Sequence, residues 1–173
     1  MKAIVLLIVA SQGYQPIEYS VPKRMLEKQG ITVETASNKP GTAIAANGAK
    51  TKVDATLDQV SATKYDAIFF IGGPGAMQFL DNKESYRIIR DIAALGKPFG
   101  AICISPRILA KAGVLTGKNA TGWDGDNKLD GVFKKCGVTR IQKDVVTDGN
   151  IITATCPAAA QMFGQAILNV LQK

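Results

Sequence analysis

The 173 residues, 46% hydrophobic and 20% charged, fit one compact domain with its own core and exclude a disordered or linker-rich chain. The histidine count is 0, which removes the commonest general base, the usual partner of a Ser or Cys nucleophile, and the commonest metal ligand together. The net charge of +7 is scattered, with only a mild excess between Lys128 and Lys143 and no aromatic-basic interleaving, so nucleic acid is not an expected partner.

Ala3-Ile-Val-Leu-Leu-Ile-Val-Ala10 imitates the apolar part of a signal peptide but is short and lacks a small-x-small cleavage pattern; it reads as a strand buried on both faces. No other apolar run approaches membrane-spanning length, so no membrane partner is expected. Pro16 opens a helix to about Gln29, stopped by Gly30, with Ile17, Val21 and Met25 on one stripe. Pro22 denies the Glu18 carbonyl its helical partner, which predicts a kink beside that carboxylate.

Ile31 to Ala36 is a second strand, and the segment from Ser37 to Asp58, broken by Pro40, Gly41 and Gly48, reads as short strands or a hairpin. Ala67-Ile-Phe-Phe-Ile71 is a core strand running into Gly72-Gly73-Pro74-Gly75. A helix follows from Asn82 to Leu95 through Ile88, Ile89, Ile92 and Leu95. Pro98 to Cys103 is the fourth strand, with a helix directly after it: Ser105 as N-cap, Pro106 at its first position, Gly113 at its end. Beyond a loop near Trp123 come an amphipathic segment at 129–135, a hairpin through Val145, Asp148-Gly149-Asn150 and Ala154, and a final helix at about 158–171. Strands alternating with helices imply a parallel α/β sheet whose ligand site lies at the carboxyl ends of its strands, in a single domain over 1–173.

Three segments end there: the Glu18 region, the Gly72–Gly75 loop and Cys103. Cys103 stands where a core strand turns sharply into a helix, the geometry of a nucleophile elbow, and the helix N-terminus favours its thiolate; the alternative is a small core residue. Glu18 near a helix start is either part of a site or simple complement to the helix dipole. The glycine loop matches no phosphate-binding motif, and its N–H groups instead suit an oxyanion facing Cys103. Asp124-Gly-Asp126-Asn-Lys128 lacks a calcium-loop pattern and reads as a solvated turn. No metal or cofactor is expected.

The three cysteines are odd in number and widely spaced, which fits a reducing cytoplasm. Cys136 and Cys156 read as structural. Oxidation of Cys103 is therefore expected to end at sulfinic acid, neither other thiol being in an obvious resolving position.

In order and spacing, Glu18 with Val21-Pro22, Asp66-Ala-Ile-Phe-Phe-Ile-Gly-Gly-Pro-Gly75, Ala101-Ile-Cys-Ile-Ser-Pro106 and Ala112-Gly-Val-Leu-Thr-Gly-Lys118 resemble the ThiJ/PfpI superfamily, which includes the Parkinson-disease protein deglycase. The resemblance spans about Ala3 to Leu171. It implies a flavodoxin-like three-layer sandwich related to class I glutamine amidotransferase domains, assembled as homodimers or larger homo-oligomers. It also implies that Cys103 is the reactive elbow cysteine, Glu18 the acid that hydrogen-bonds it, and the backbones of Gly73 and Ile104 the oxyanion-hole donors. Gly72, Ser105 and Trp123 are the expected pocket residues beside them.

Protease-like members place a His directly after the cysteine, where this chain has Ile104, and glyoxalase-like members use a His in the loop that here reads Thr121-Gly-Trp123. The histidine-free isocyanide hydratases read similarly through Ala112 to Trp123 but carry Thr at the place of Ile104 and Asp near that of Glu18. The resemblance thus implies a small-molecule electrophile attacked in a glyoxalase-, deglycase- or isocyanide-hydratase-like addition. The alternative is a non-catalytic oxidative-stress sensor or chaperone-like protein. A conventional Cys-His peptidase is not expected.

Overall fold

The computed structural model describes residues 2–172. The first apolar run is β1 (Ile4–Val9), with every side chain but that of Ile4 buried. Its residues alternate between two cores: Val5, Leu7 and Val9 face one, Leu6 and Ile8 the other, as the period of a strand covered on both sides requires.

After a short strand, β2 (Gln12–Tyr14), the chain enters α1 (Pro16–Lys28), where Gln15 Oε1 accepts from the Ile17 N–H at 2.8 Å. The inward face of α1 is Glu18, Tyr19, Pro22 and Leu26, whereas Ile17 is 49% exposed. The expected stripe of Ile17, Val21 and Met25 therefore flanks the buried face. The Tyr19 hydroxyl, bonded to Thr35 Oγ1 and Thr51 Oγ1, holds the helix in this rotation. The helix continues through Pro22 as one element. Pro22 itself packs on the last helix, where a Cβ on Gly164 would lie 3.2 Å from the Pro22 Cα.

β3 (Thr32–Ser37) runs parallel to β1, and the excursion after it is a hairpin of β4 (Thr42–Ala45) and β5 (Lys50–Lys52) that β4 joins to β2. β6 (Ala55–Thr56) returns to pair with β3. β7 (Ala67–Phe70) leads through the glycine loop into the single turn α2 (Ala76–Phe79) and then α3 (Lys83–Ala94), capped by Asn82. Helix α3 buries Ile88, Ile89 and Ile92, while Leu95, just past its end, is 45% exposed.

β8 (Phe99–Ile102) is followed by α4 (Pro106–Ala112), which Gly113 ends at φ 88°. Ser105 stands at the N-cap position without capping, because its hydroxyl donates to the Ile71 carbonyl at 2.8 Å and so ties β7 to the start of α4. β9 (Asn119–Ala120) and β10 (Thr139–Arg140) form a small parallel pair around α5 (Leu129–Lys135). The hairpin of β11 (Val145–Asp148) and β12 (Ile151–Ala154) and a 3₁₀ turn at Pro157–Ala159 bring the chain to α6 (Ala160–Leu171).

The main sheet has the order β11-β12-β8-β7-β1-β3-β6, parallel throughout except for β11 at one edge. Helices α1 and α6 cover the face that receives Val5 and Leu7; α3, α4 and α5 cover the face that receives Leu6 and Ile8. This is the flavodoxin-like three-layer arrangement. Among the described residues no helix is long and apolar enough to cross a membrane.

The run at 124–128 is more than a solvated turn. Asp126 holds the nearly buried Arg107 through two hydrogen bonds of 2.6 and 3.0 Å, and Asp124 pairs with Arg140 at 2.6 Å while its Oδ1 accepts from the Leu129 N–H at the start of α5. Arg107 holds the Asp126 carboxyl down at about 2, and the Leu129 N–H, helped by Arg140, lowers that of Asp124. Sequence spacing could not show that two arginines from other elements converge on this loop.

Candidate active site

The carboxyl ends of β7, β8 and β12 meet the start of α1 around one cavity of about 340 Å³, lined by Gln15, Glu18, Gly73, Pro74, Cys103, Ile104, Trp123, Cys156 and Pro157. Cys103 is the residue directly after β8, and its backbone takes φ 65°, a left-handed conformation uncommon outside glycine. That reversal is held from two sides: the Cys103 N–H donates to the Ala154 carbonyl at 2.9 Å, and its own carbonyl accepts from the Trp123 N–H at 2.7 Å. A non-glycine residue in this region carries strain that its surroundings must sustain, a feature that clusters at functional sites.

Glu18 has no solvent exposure. Its Oε2 accepts from the Gly72 N–H at 3.0 Å, and its carboxyl lies beside the Cys103 side chain, both crowding Gly72. Oε1 is buried with no hydrogen-bond partner. Burial pushes this carboxyl up from the usual range to about 7, against the lowering effect of Cys103 and the Gly72 N–H.

Burial also pushes the Cys103 thiol up to about 12, helped by the Glu18 charge and hydrogen bond and opposed by the N–H groups of Ile104 and Gly73. The expectation that the helix N-terminus favours thiolate is thus outweighed, because α4 has only seven residues and the sulfur is largely desolvated beside an acid. Between the two values the pair shares one proton, held mainly on the sulfur, so forming the thiolate means transferring that proton to Glu18.

The glycines permit this crowding. A Cβ on Gly72 would fall 2.5 Å from the Cys103 Cβ and 2.6 Å from Glu18 Oε2; one on Gly73, at φ 117°, would fall 2.5 Å from the Gln15 nitrogen. Of the three expected pocket residues, Trp123 lines the cavity, while Gly72 sits behind the pair as a donor and Ser105 is fully buried in its bond to Ile71. The Trp123 ring is fixed by Arg107, 5.6 Å from its centroid, and by Gly125, where a Cβ would lie 2.5 Å from the ring.

Cys156, read from the sequence as structural, stands in the lining of the same cavity, as do Gln15, Pro74 and Pro157. Cys136 lies at the end of α5 and packs on the opposite face of the sheet. The clue to Cys156 was its place two residues past a core strand. Nothing in the spacing says that this strand lies next to β8.

The DJ-1/PfpI family model matches residues 3–170. The deglycase PfpI of Pyrococcus furiosus is 31% identical over 96% of this chain and 99% of its own length, and an uncharacterised protein of Methanocaldococcus jannaschii is 33% identical over 99% of this chain and 83% of its own. Among solved structures, a ThiJ/PfpI domain protein from Brachyspira murdochii superposes with a TM-score of 0.92 at 26% identity, covering 99% of this chain and 98% of that one. DJ-1beta of Drosophila melanogaster superposes with a TM-score of 0.85 at 27% identity, covering 100% and 92%.

Proposed function

This chain belongs to the DJ-1/PfpI family, and from that premise we infer that Cys103 is a nucleophile acting on a small electrophile, with Glu18 as the acid that shuttles its proton. The observation that carries the reading is the buried Glu18 carboxyl, poised near neutrality and within reach of a cysteine in a strained turn at an apolar cavity.

The thiolate adds to a carbonyl or isocyanide carbon as Glu18 gives up the proton it held. The N–H groups of Gly73 and Ile104, both turned toward the sulfur, are close to where charge develops on the substrate and stabilise it. Relatives named deglycase, at 31% and 33% identity over 96% of this chain, favour an aldehyde-type adduct over an amide. Amide hydrolysis needs a group to protonate a poor leaving amine, and in a chain with no histidine Glu18 would have to serve that step as well as the first. The reading takes the homo-oligomer and the cytoplasm as its setting.

A screen of the purified chain against methylglyoxal, small isocyanides and peptide amides, beside Cys103→Ser, tests this. Turnover of a small electrophile that is lost in Cys103→Ser, with no amide cleavage, is the expected result. Cys103-dependent peptide cleavage refutes it, and inactivity toward every electrophile transfers the site to the sensor or chaperone-like alternative.

A further inference from the structure

Two of the three cysteines line one cavity. Cys103 follows β8 and Cys156 lies two residues past the end of β12, the strand paired in parallel with β8, with Ala154 opposite Ile102. The ladder continues past the strand ends, since the Cys103 N–H donates to the Ala154 carbonyl, so Cys156 stands one place beyond the residue opposite Cys103. Neighbouring strands are about 4.8 Å apart and each residue rises about 3.3 Å, so Cα atoms one place out of register on paired strands lie roughly 6 Å apart, inside the span of about 4.4–6.8 Å that a disulfide bridges. Both side chains are half-buried against the same apolar cluster, and the Thr155 hydroxyl donates to the Cys156 sulfur at 3.5 Å.

We propose that Cys156 is a resolving thiol for Cys103, giving the cavity a second activity: two-electron reduction of a small hydroperoxide, with Cys103 and Cys156 closing into an intramolecular disulfide. The inference rests on Cys103 being the reactive thiol of the preceding reading and not on the identity of its electrophile.

In the first step the Cys103 thiolate attacks the distal peroxide oxygen. The O–O bond breaks, the sulfur is oxidised to sulfenic acid, and the departing hydroxide or alkoxide takes the proton held on Glu18 and leaves as water or alcohol. In the second, the Cys156 sulfur attacks the Cys103 sulfur, the S–O bond breaks, and the hydroxide leaves as water with the Cys156 proton. An external dithiol then reduces the bridge by thiol–disulfide exchange, returning two thiols and becoming oxidised itself. Where no resolving thiol is present, the sulfenic acid stays exposed to further oxidation to sulfinic acid.

The experiment treats the reduced chain with two equivalents of hydrogen peroxide, enough to carry one thiol to sulfinic acid, and maps its peptides without reduction, in wild type, Cys156→Ser and Cys136→Ser. A Cys103–Cys156 cross-link within one chain is expected in wild type and in Cys136→Ser. It is expected to be lost in Cys156→Ser, where Cys103 proceeds to sulfinic acid. With dithiothreitol present, wild type is expected to consume peroxide over many cycles, whereas Cys156→Ser, whose sulfenic acid waits for the external thiol, is expected to lose activity progressively as Cys103 is over-oxidised to sulfinic acid. Wild type carrying sulfinic acid at Cys103 and a free Cys156, or bridged only between chains, overturns the inference and leaves Cys103 as the reactive thiol. An unmodified Cys103 overturns both this inference and the reading it rests on. Should Cys156→Ser fail to fold, the wild-type map decides alone.

Discussion

Glu18 sits in the first turn of an otherwise ordinary surface helix, yet it is fully buried and its carboxyl is held at about 7 by desolvation. Because the unfolded chain releases this proton near 4.5, folded protein holds a proton that unfolded protein has lost over the interval from about 4.5 to 7. The stabilising contribution is therefore complete at pH 4 and falls away as pH rises to 7, by roughly 3 kcal/mol. Urea unfolding at pH 5 and pH 7.5 is expected to show wild type losing stability across that window and Glu18→Gln losing much less. An equal slope in both proteins would mean the carboxyl is not the titrating group. Sequence reading reached Glu18 and Cys103 because each lies at a recognisable break: a proline-opened helix and a strand-to-helix turn. It did not place Cys156 at the cavity, because that depends on which strand lies next to its own.

At the scale of elements, the pairing of β8 with β12 sets both sulfurs in place, and it tolerates no side chain at its middle. Gly100 is opposite Ile152, and a Cβ there would fall 1.8 Å from the Ile152 carbonyl oxygen. Gly100→Ala is expected to force these strands apart and destabilise the fold by about 3 kcal/mol or more, measured as a shift in the denaturant midpoint. An unchanged midpoint would show that the strands can spread without cost. Helix and strand positions were largely legible, since β1, β7 and α3 each announce themselves by period and by their bounding glycine, proline or asparagine. The short strands β2, β9 and β10 were not. Each has only two or three residues, fewer than a period-2 pattern needs, and exists because a partner strand is nearby.

For the molecule as a whole, one sheet carries two cores that share β1 residue by residue, so loss on either face is expected to be felt by both. Phe163→Ala, which removes the ring packed edge-on at 5.6 Å from Phe69, and Ile92→Ala on the other face are each expected to cost about 2–5 kcal/mol. Both are expected to lower a single unfolding transition, followed by circular dichroism and tryptophan fluorescence together. Two separable transitions would show that the faces unfold independently. The sequence by itself determined the α/β alternation, the buried first strand, the hairpins, and the strand-to-helix turn at Cys103, because these follow from local hydrophobic period and turn chemistry. Only the tertiary structure decided which face of α1 is buried, that Asp124 and Asp126 tie down Arg140 and Arg107, and that Cys156 shares a cavity with Cys103. Those outcomes depend on strand order and helix rotation, and contacts between residues distant along the chain leave no local pattern to read.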